Sequence, residues 1–219
     1  MQGLLQRMVD LLRLLVMGRG GRVWRATLQR LYSDGASIGL RRDVTMPFPA
    51  PAAKRPIHVR PLAPGDDLSC VDPGQPGLSD AQVFERLGQL RIIQSGLRTC
   101  YVAVGEDGKL CYMQWLILDG ENERVRTFFG NLYPRLGADE ALLEGAYTSE
   151  SYRGQGIMAN AMAQIAARAA ESGVRWVITF VDEANVPSLK GCERAGFQPY
   201  VRRREQYRLL RRRVAFNPF

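Results

Sequence analysis

The sequence predicts an α/β domain that follows a helical arm, and three patterns carry that expectation. Residues 141–148, 157–170 and 174–181 run strand, helix, strand, with a glycine-containing turn before the helix and Gly173 closing it. Segments 101–104 and 110–118 flank Glu106-Asp107-Gly108-Lys109, an Asp-Gly hairpin signal. In residues 3–17, leucine, valine and methionine surround a narrow stripe of Gln6/Arg7, Asp10 and Arg13, the pattern of an amphipathic helix with a wide apolar face.

Taken in order, Gly18-Arg19-Gly20-Gly21 breaks the first helix. Residues 22–32 predict a second, basic one with Trp24, Leu28, Leu31 and Tyr32 on one side. Pro47, Pro49, Pro51 and Pro56 mark an extended linker, so residues 1–55 are expected as an arm and residues 56–219 as the domain. The arm is expected as a helical hairpin packed on its own domain or on a second subunit, the alternative being a membrane surface or a partner. Ile57–Arg60 predicts the first strand of the domain. Ser79-Asp80-Ala81-Gln82 is a capping box ahead of a helix that stops at Gly96. Residues 119–140 are polar with an aromatic island at Phe128, Phe129 and Tyr133, and are expected as a long loop. Val174–Val181 is an almost unbroken apolar run, expected of a strand buried on both faces. A short helix from Pro187 to Ala195 ends at Gly196, and strand-like sequence follows to Phe216.

Composition narrows the function. The 219 residues are 46% hydrophobic and 24% charged, which excludes wholesale disorder. No stretch reaches the ~18 apolar residues of a membrane span, and the apolar segment 4–17 lacks the features of a secretory signal, so a cytoplasmic protein is expected. The net charge of +8 sits at the ends: residues 1–55 carry +7, residues 56–200 carry −5 and residues 201–219 carry +6. An acidic middle is the reverse of a nucleic-acid-binding face, so no specific nucleic acid is expected as a partner. Cys70, Cys100, Cys111 and Cys192 form no C-x-x-C pair and His58 is the sole histidine, so no metal site is expected.

Chemistry concentrates in Ser151-Tyr152-Arg153-Gly154-Gln155-Gly156-Ile157-Met158. A glycine-rich turn opening a helix presents unpaired amides and the positive end of the helix dipole, which suits a pyrophosphate. Gly154, Gly156 and Ala159 also satisfy the dinucleotide fingerprint G-x-G-x-x-G/A, with Asp182 downstream. That fingerprint sits tight against its strand, however, and here Ser149-Glu150-Ser151-Tyr152 intervenes. Arg153-Gly154-Gln155-Gly156-Ile157, followed by Asn185-x-x-Ser188 and Gly196-Phe197, instead resembles the GCN5-related N-acetyltransferase (GNAT) family, over residues 57–213.

The resemblance implies a mixed, largely antiparallel twisted sheet flanked by helices, and an acetyl group moved from acetyl-CoA to an amine by direct attack in a ternary complex. It implies that the backbone of Ala146, Tyr147 and Thr148 aligns the pantetheine arm. The loop Arg153, Gly154, Gln155, Gly156, Ile157 and Met158 would hold the pyrophosphate, with Asn185 and Ser188 beside the pantetheine. Glu144 is the candidate general base, placed by strand alternation on one side with Ala146 and Thr148, or else a member of a structural ion pair. Glu150, on the connecting turn, is expected in solvent. Two positions depart from the family pattern. Met158 stands where glycine or alanine is usual, and Cys192 stands where many members carry a tyrosine that protonates the leaving thiolate. Cys192 is either that donor or packing beside the cofactor. Trp115, Phe129 and Tyr133 would shape an acceptor pocket, or serve as core. The acceptor itself, a small molecule or a peptide amine, is left open.

The alternative from another class is a catalytically silent CoA-binding protein, or an interaction protein held at a membrane or partner by its basic ends. Arg202, Arg203, Arg204, Arg208, Arg211, Arg212 and Arg213 would bind an anionic acceptor or a membrane surface, or form a solvated edge that discourages aggregation. A homodimer is compatible with the arm.

Overall fold

The computed structural model describes residues 31–219. The helix expected over 3–17 and residues 22–30 of the one expected over 22–32 lie outside the described residues, and Tyr32, expected at the end of the second helix, opens strand β1. Eight strands form one sheet in the order β2-β3-β4-β5-β6-β1-β7-β8. They are β1 (Tyr32–Asp43), β2 (Ile57–Pro61), β3 (Cys100–Gly105), β4 (Leu110–Leu118), β5 (Glu140–Thr148), β6 (Trp176–Asp182), β7 (Gln198–Arg208) and β8 (Arg211–Pro218). Every neighbouring pair is antiparallel except β5 and β6, which are parallel. Helices α1 (Asp80–Ile93), α2 (Asn122–Phe129), α3 (Ile157–Ala169) and α4 (Val186–Arg194) flank it.

Local sequence accounts for most of these elements. Ser79 caps α1 reciprocally: its hydroxyl accepts from the Gln82 amide at 3.3 Å, and the Gln82 side chain accepts from the Ser79 amide at 2.9 Å. The alanines of α3 let it lie close to the sheet, and Ala159, Ala161, Ala163, Ala166 and Ala169 are all buried. One core cluster fills the α3 face with Tyr112, Leu143, Ile165 and Phe197. A second fills the opposite face, where α1 and α2 lie, with Met113, Trp115, Ile117 and Tyr147. β4 contributes to both, which is why it is apolar except at Gln114 rather than alternating.

Four expectations are corrected. Residues 32–43, assigned to the arm, form β1 in the sheet, hydrogen-bonded to β6 on one side and β7 on the other. The boundary at residue 56 therefore falls inside the folded unit. Gly39 is the reason β1 fits there: a Cβ would lie 2.5 Å from Val201 Cγ1 and 2.8 Å from Phe180 Cε1. Second, the loop expected over 119–140 contains helix α2, with Val125 as its buried contact to the core. Third, the C-terminal arginines are not uniformly a solvated edge. Arg203 is buried, and its guanidinium lies 5.0 Å from the Phe180 ring and 5.4 Å from Tyr133. Fourth, Glu150 is an ion-pair partner of the buried Arg86 at 3.0 Å rather than a solvated turn residue.

The proline-bearing segment after β1 is extended, as expected, but it is seated on the domain. The Lys54 amide donates to the Gln155 carbonyl at 2.8 Å, and the Asn160 side chain donates to the Pro51 carbonyl at 2.7 Å.

Candidate active site

β5 and β6 pair only from Glu140 to Leu142 and from Trp176 to Ile178. Past those three rungs the strands part, and a cavity of about 1060 Å³ opens between them. Leu143–Ala146 line it from β5 and Thr179–Asp182 from β6. One end is bounded by α1 and α2 through Gln89, Ile92, Thr127 and Phe129. The other is bounded by α3 and α4 through Met158, Met162, Ser188 and Cys192.

The floor carries a β-bulge. Met113 pairs with Tyr147 but Trp115 pairs with Glu144, so β5 holds one residue more than β4 across that interval. Gly145 takes φ +68°, and a Cβ there would meet Trp115 at 2.8 Å and Ile92 at 2.9 Å. The bulge overturns the simple alternation expected for β5. Glu144 shares a face with Tyr147, three residues on, and faces Tyr133, not Thr148. Burial pushes the Glu144 carboxyl pKa up, opposed by hydrogen bonds from the Tyr133 hydroxyl and the Gly145 amide and by the charge of Arg203. An aromatic chain backs this carboxyl: Phe129 and Tyr133 rings meet edge-on at 5.0 Å, and Tyr133 and Phe180 at 5.7 Å. Arg203 is held behind them by Ser37 Oγ at 3.0 Å and the Leu132 carbonyl at 3.3 Å.

Of the loop 153–158 only Met158 lines the cavity; just before it, Gly154 and Gly156 adopt φ +73° and +77°, and Gly156 is the residue from which α3 starts, with no side-chain cap. Among the described residues, the amides from Gly154 to Met158 donate to no carbonyl or side chain. The donor set therefore fits a pyrophosphate: unpaired amides at a helix N-terminus, approached through two glycines. A side chain at Gly156 would be tight and strained, because a Cβ would lie 3.2 Å from the Ala52 carbonyl on a backbone at φ +77°. Met158 does not obstruct the loop, since its side chain packs over Gly191 of α4. Arg153 is tied away from the loop amides, donating to the Thr148 carbonyl at 3.0 Å and to Glu85 at 2.8 Å. Asn185 caps α4 by accepting from the Ser188 amide at 3.2 Å, and both residues line the cavity.

An acetyltransferase (GNAT) family model matches residues 84–197, just over half of the chain. The chain belongs to the GNAT family. No curated protein matches it. Among solved structures it is similar to a GCN5-related N-acetyltransferase from Sphaerobacter thermophilus, at 19% identity and TM-score 0.49, covering 85% of this chain and 56% of that one. It is also similar to a GNAT-family acetyltransferase from Colwellia psychrerythraea, at 16% identity and TM-score 0.49, covering 83% and 59%. A tandem GNAT protein from the clavulanic acid biosynthesis pathway is similar at 19% identity and TM-score 0.45, covering 84% and 56%. The chain thus spans a little over half the length of each.

Within this GNAT chain, two of the expected site residues prove to be core. Trp115 is only 1% exposed and lies beneath Gly145, outside the cavity lining. Cys192 lines the cavity but is fully buried, with Met162 Sδ at 3.8 Å as its hydrogen-bond partner. Burial pushes its thiol up to about 12, so it is a weak acid that keeps its proton. Of the aromatic trio, Phe129 lines the cavity, whereas Tyr133 is buried behind it and bonds to Glu144.

Sequence reasoning missed four residues here. Arg203 looks in sequence like its exposed neighbours, and only the β7 register reveals it as buried. Arg194 brings Nη2 to within 3.8 Å of the Gly156 Cβ position, beside the loop. Gln89 and Gln114 line the cavity, both buried, and Gln89 Oε1 and Gln114 Nε2 have no partner. A buried amide group without a partner costs free energy unless a bound molecule satisfies it.

Proposed function

We propose that the chain transfers an acetyl group from acetyl-CoA to a primary amine held in the cavity between β5 and β6. The observation that carries this reading is the parting of those strands, with an unpaired-amide loop at one end and the Glu144 carboxyl on the floor. Bound acetyl-CoA supplies a thioester carbonyl that an amine can attack.

The chain's own residues do the remainder. Amides from Gly154 to Met158 hold the pyrophosphate, with the Arg194 guanidinium adding charge beside them. The β5 backbone from Ala146 to Thr148 and the Asn185 and Ser188 side chains orient the pantetheine arm. Glu144 takes a proton from the incoming ammonium, and its raised pKa suits it to that task near neutral pH. The Ala146 amide, in the bulge, donates to the oxygen that gains negative charge. Gln89 and Gln114 offer an acceptor and a donor to the polar part of the amine substrate. Cys192 is packing beside the cofactor, and the leaving thiolate takes its proton from solvent.

The test is calorimetric titration with acetyl-CoA, followed by a thiol-release assay over a panel of small-molecule and peptide amines. Saturable binding, with CoA thiol released only when an amine is present, is the expected result. Binding without turnover of any amine sinks the transfer reading, and no binding by folded protein sinks the cofactor assignment as well.

A further inference from the structure

The β7–β8 hairpin turns on Leu209-Leu210. Arg208 pairs with Arg211, so the turn has two residues, and their φ angles of +49° and +67° make it type I′. That backbone favours asparagine and glycine, and these are the only non-glycine residues with positive φ among the described residues. Neither leucine is rewarded with burial, since Leu209 is 80% exposed and Leu210 63%. Beside them stand Tyr32, 68% exposed, and Leu31, 40% exposed. The Leu209 amide donates to the Leu31 carbonyl at 2.8 Å, so four apolar side chains from two segments share one tip.

The tip stands clear of the rest of the sheet. Ser37 pairs with Asp182, the last residue of β6, and the Ala36 carbonyl accepts from the Glu183 amide at 3.1 Å, whereas Tyr32–Gly35 pair only with β7. Behind the leucines is a basic collar. Arg204, Arg211 and Arg213 are exposed and, among the described residues, carry the collar's free charge. Arg208 stacks 3.9 Å from the Tyr32 ring but pairs with Asp34 of β1 at 2.8 Å, and the only acid on the hairpin, Glu205, faces Arg212 at 3.7 Å. The sequence before residue 31 is basic with an apolar-rich stretch at 4–17. No described helix is long and apolar enough to cross a membrane.

We propose that this tip is a docking surface for an anionic lipid bilayer. Leu209 and Leu210 enter the apolar boundary while the exposed arginines meet headgroup phosphates. Four side chains are too few for the roughly 800 Å² per partner of a stable protein interface. A second copy would also bring two arginine collars together. Strained, exposed leucines ringed by arginine match instead a thin apolar layer beneath a negative surface. This inference does not depend on the acyl-transfer reading, because none of its residues touches the cavity.

The test is sedimentation of the full chain with vesicles of phosphatidylcholine alone or with about 30% phosphatidylglycerol. The expected result is binding to the anionic vesicles at least about tenfold tighter than to the neutral ones, weakening with added salt. Leu209→Asn/Leu210→Gly places the preferred type I′ residues in the turn, so the hairpin is kept and thermal stability does not fall. That variant is expected to lose about tenfold or more in affinity for the anionic vesicles. Equal binding by variant and wild type, or no binding by the wild type, overturns the proposal. So does a wild-type dimer that the variant dissolves while neither binds vesicles.

Discussion

The Lys54 amide and the Gln155 carbonyl are joined by a hydrogen bond of 2.8 Å, across a hundred residues of chain. The bond, with the one from Asn160 to Pro51, clamps a stretch without regular structure against the turn that opens α3. The Gln155 carbonyl is occupied from outside the loop, by a bond that holds its peptide plane in place. The proline-bearing segment that suggests a linker is thus seated against the glycine turn that opens α3.

Gly156→Glu is expected to abolish acetyl-CoA binding in calorimetry. The new side chain would have to displace the Ala52 carbonyl, adopt φ +77°, and bring negative charge to an anion site. Unchanged affinity in the folded variant would remove the loop from the site.

Tyr133→Phe is expected to move the acidic limb of the pH profile of kcat/KM to higher pH. The Tyr133 hydroxyl donates to the Glu144 carboxylate and holds its pKa down against the effect of burial. Without that bond the carboxyl keeps its proton to higher pH, and the base form is lost earlier as pH falls. A limb that stays in place, or moves down, would separate Glu144 from proton removal.

Cys192→Ala is expected to leave kcat within a few-fold of wild type while lowering stability by about 1–2 kcal/mol, the order of cost of a small cavity in a packed core. Steady-state kinetics and thermal melts read the two separately. A fall in kcat of about a hundredfold or more would make the thiol an acid in spite of its burial.

Gly145→Ala is expected to cost about 2–3 kcal/mol, read as a lowered Tm, because its methyl would strike Trp115 and Ile92 at under 3 Å while forced to positive φ. Stability equal to wild type would show that the bulge relaxes freely, contrary to the buried neighbours on both sides.

The parts of the fold that declare themselves in sequence are those whose signals are local. Ser79 and Gln82 cap α1, Asp107-Gly108 turns the β3–β4 hairpin, and Gly154 and Gly156 precede α3, each within a few residues. What stayed hidden depends on distant partners. β1 has the composition of a weak strand, with Gly35 and Gly39 inside it, and becomes one only because β6 and β7 lie on either side. The β5 bulge reverses the facing of Glu144 relative to Thr148, and no period-two pattern carries such an insertion. Arg203 and Arg204 are adjacent and chemically identical, yet one backs the Tyr133–Glu144 pair and the other is exposed, a difference that strand register alone decides.

The position of β1 also sets an order of events during synthesis. It is the first strand of the sheet to be translated, but its partners are β6 and β7, and the last residue that pairs with it is Arg208. At ribosomal speeds of about 5–20 residues per second, roughly ten to thirty seconds separate the making of β1 from the making of its last partner. For that interval both its edges lack their native neighbours, while β2 to β5 can already pair locally. The nascent chain therefore presents a strand with two open edges late into translation, a template for wrong pairing until β6 and β7 have been made.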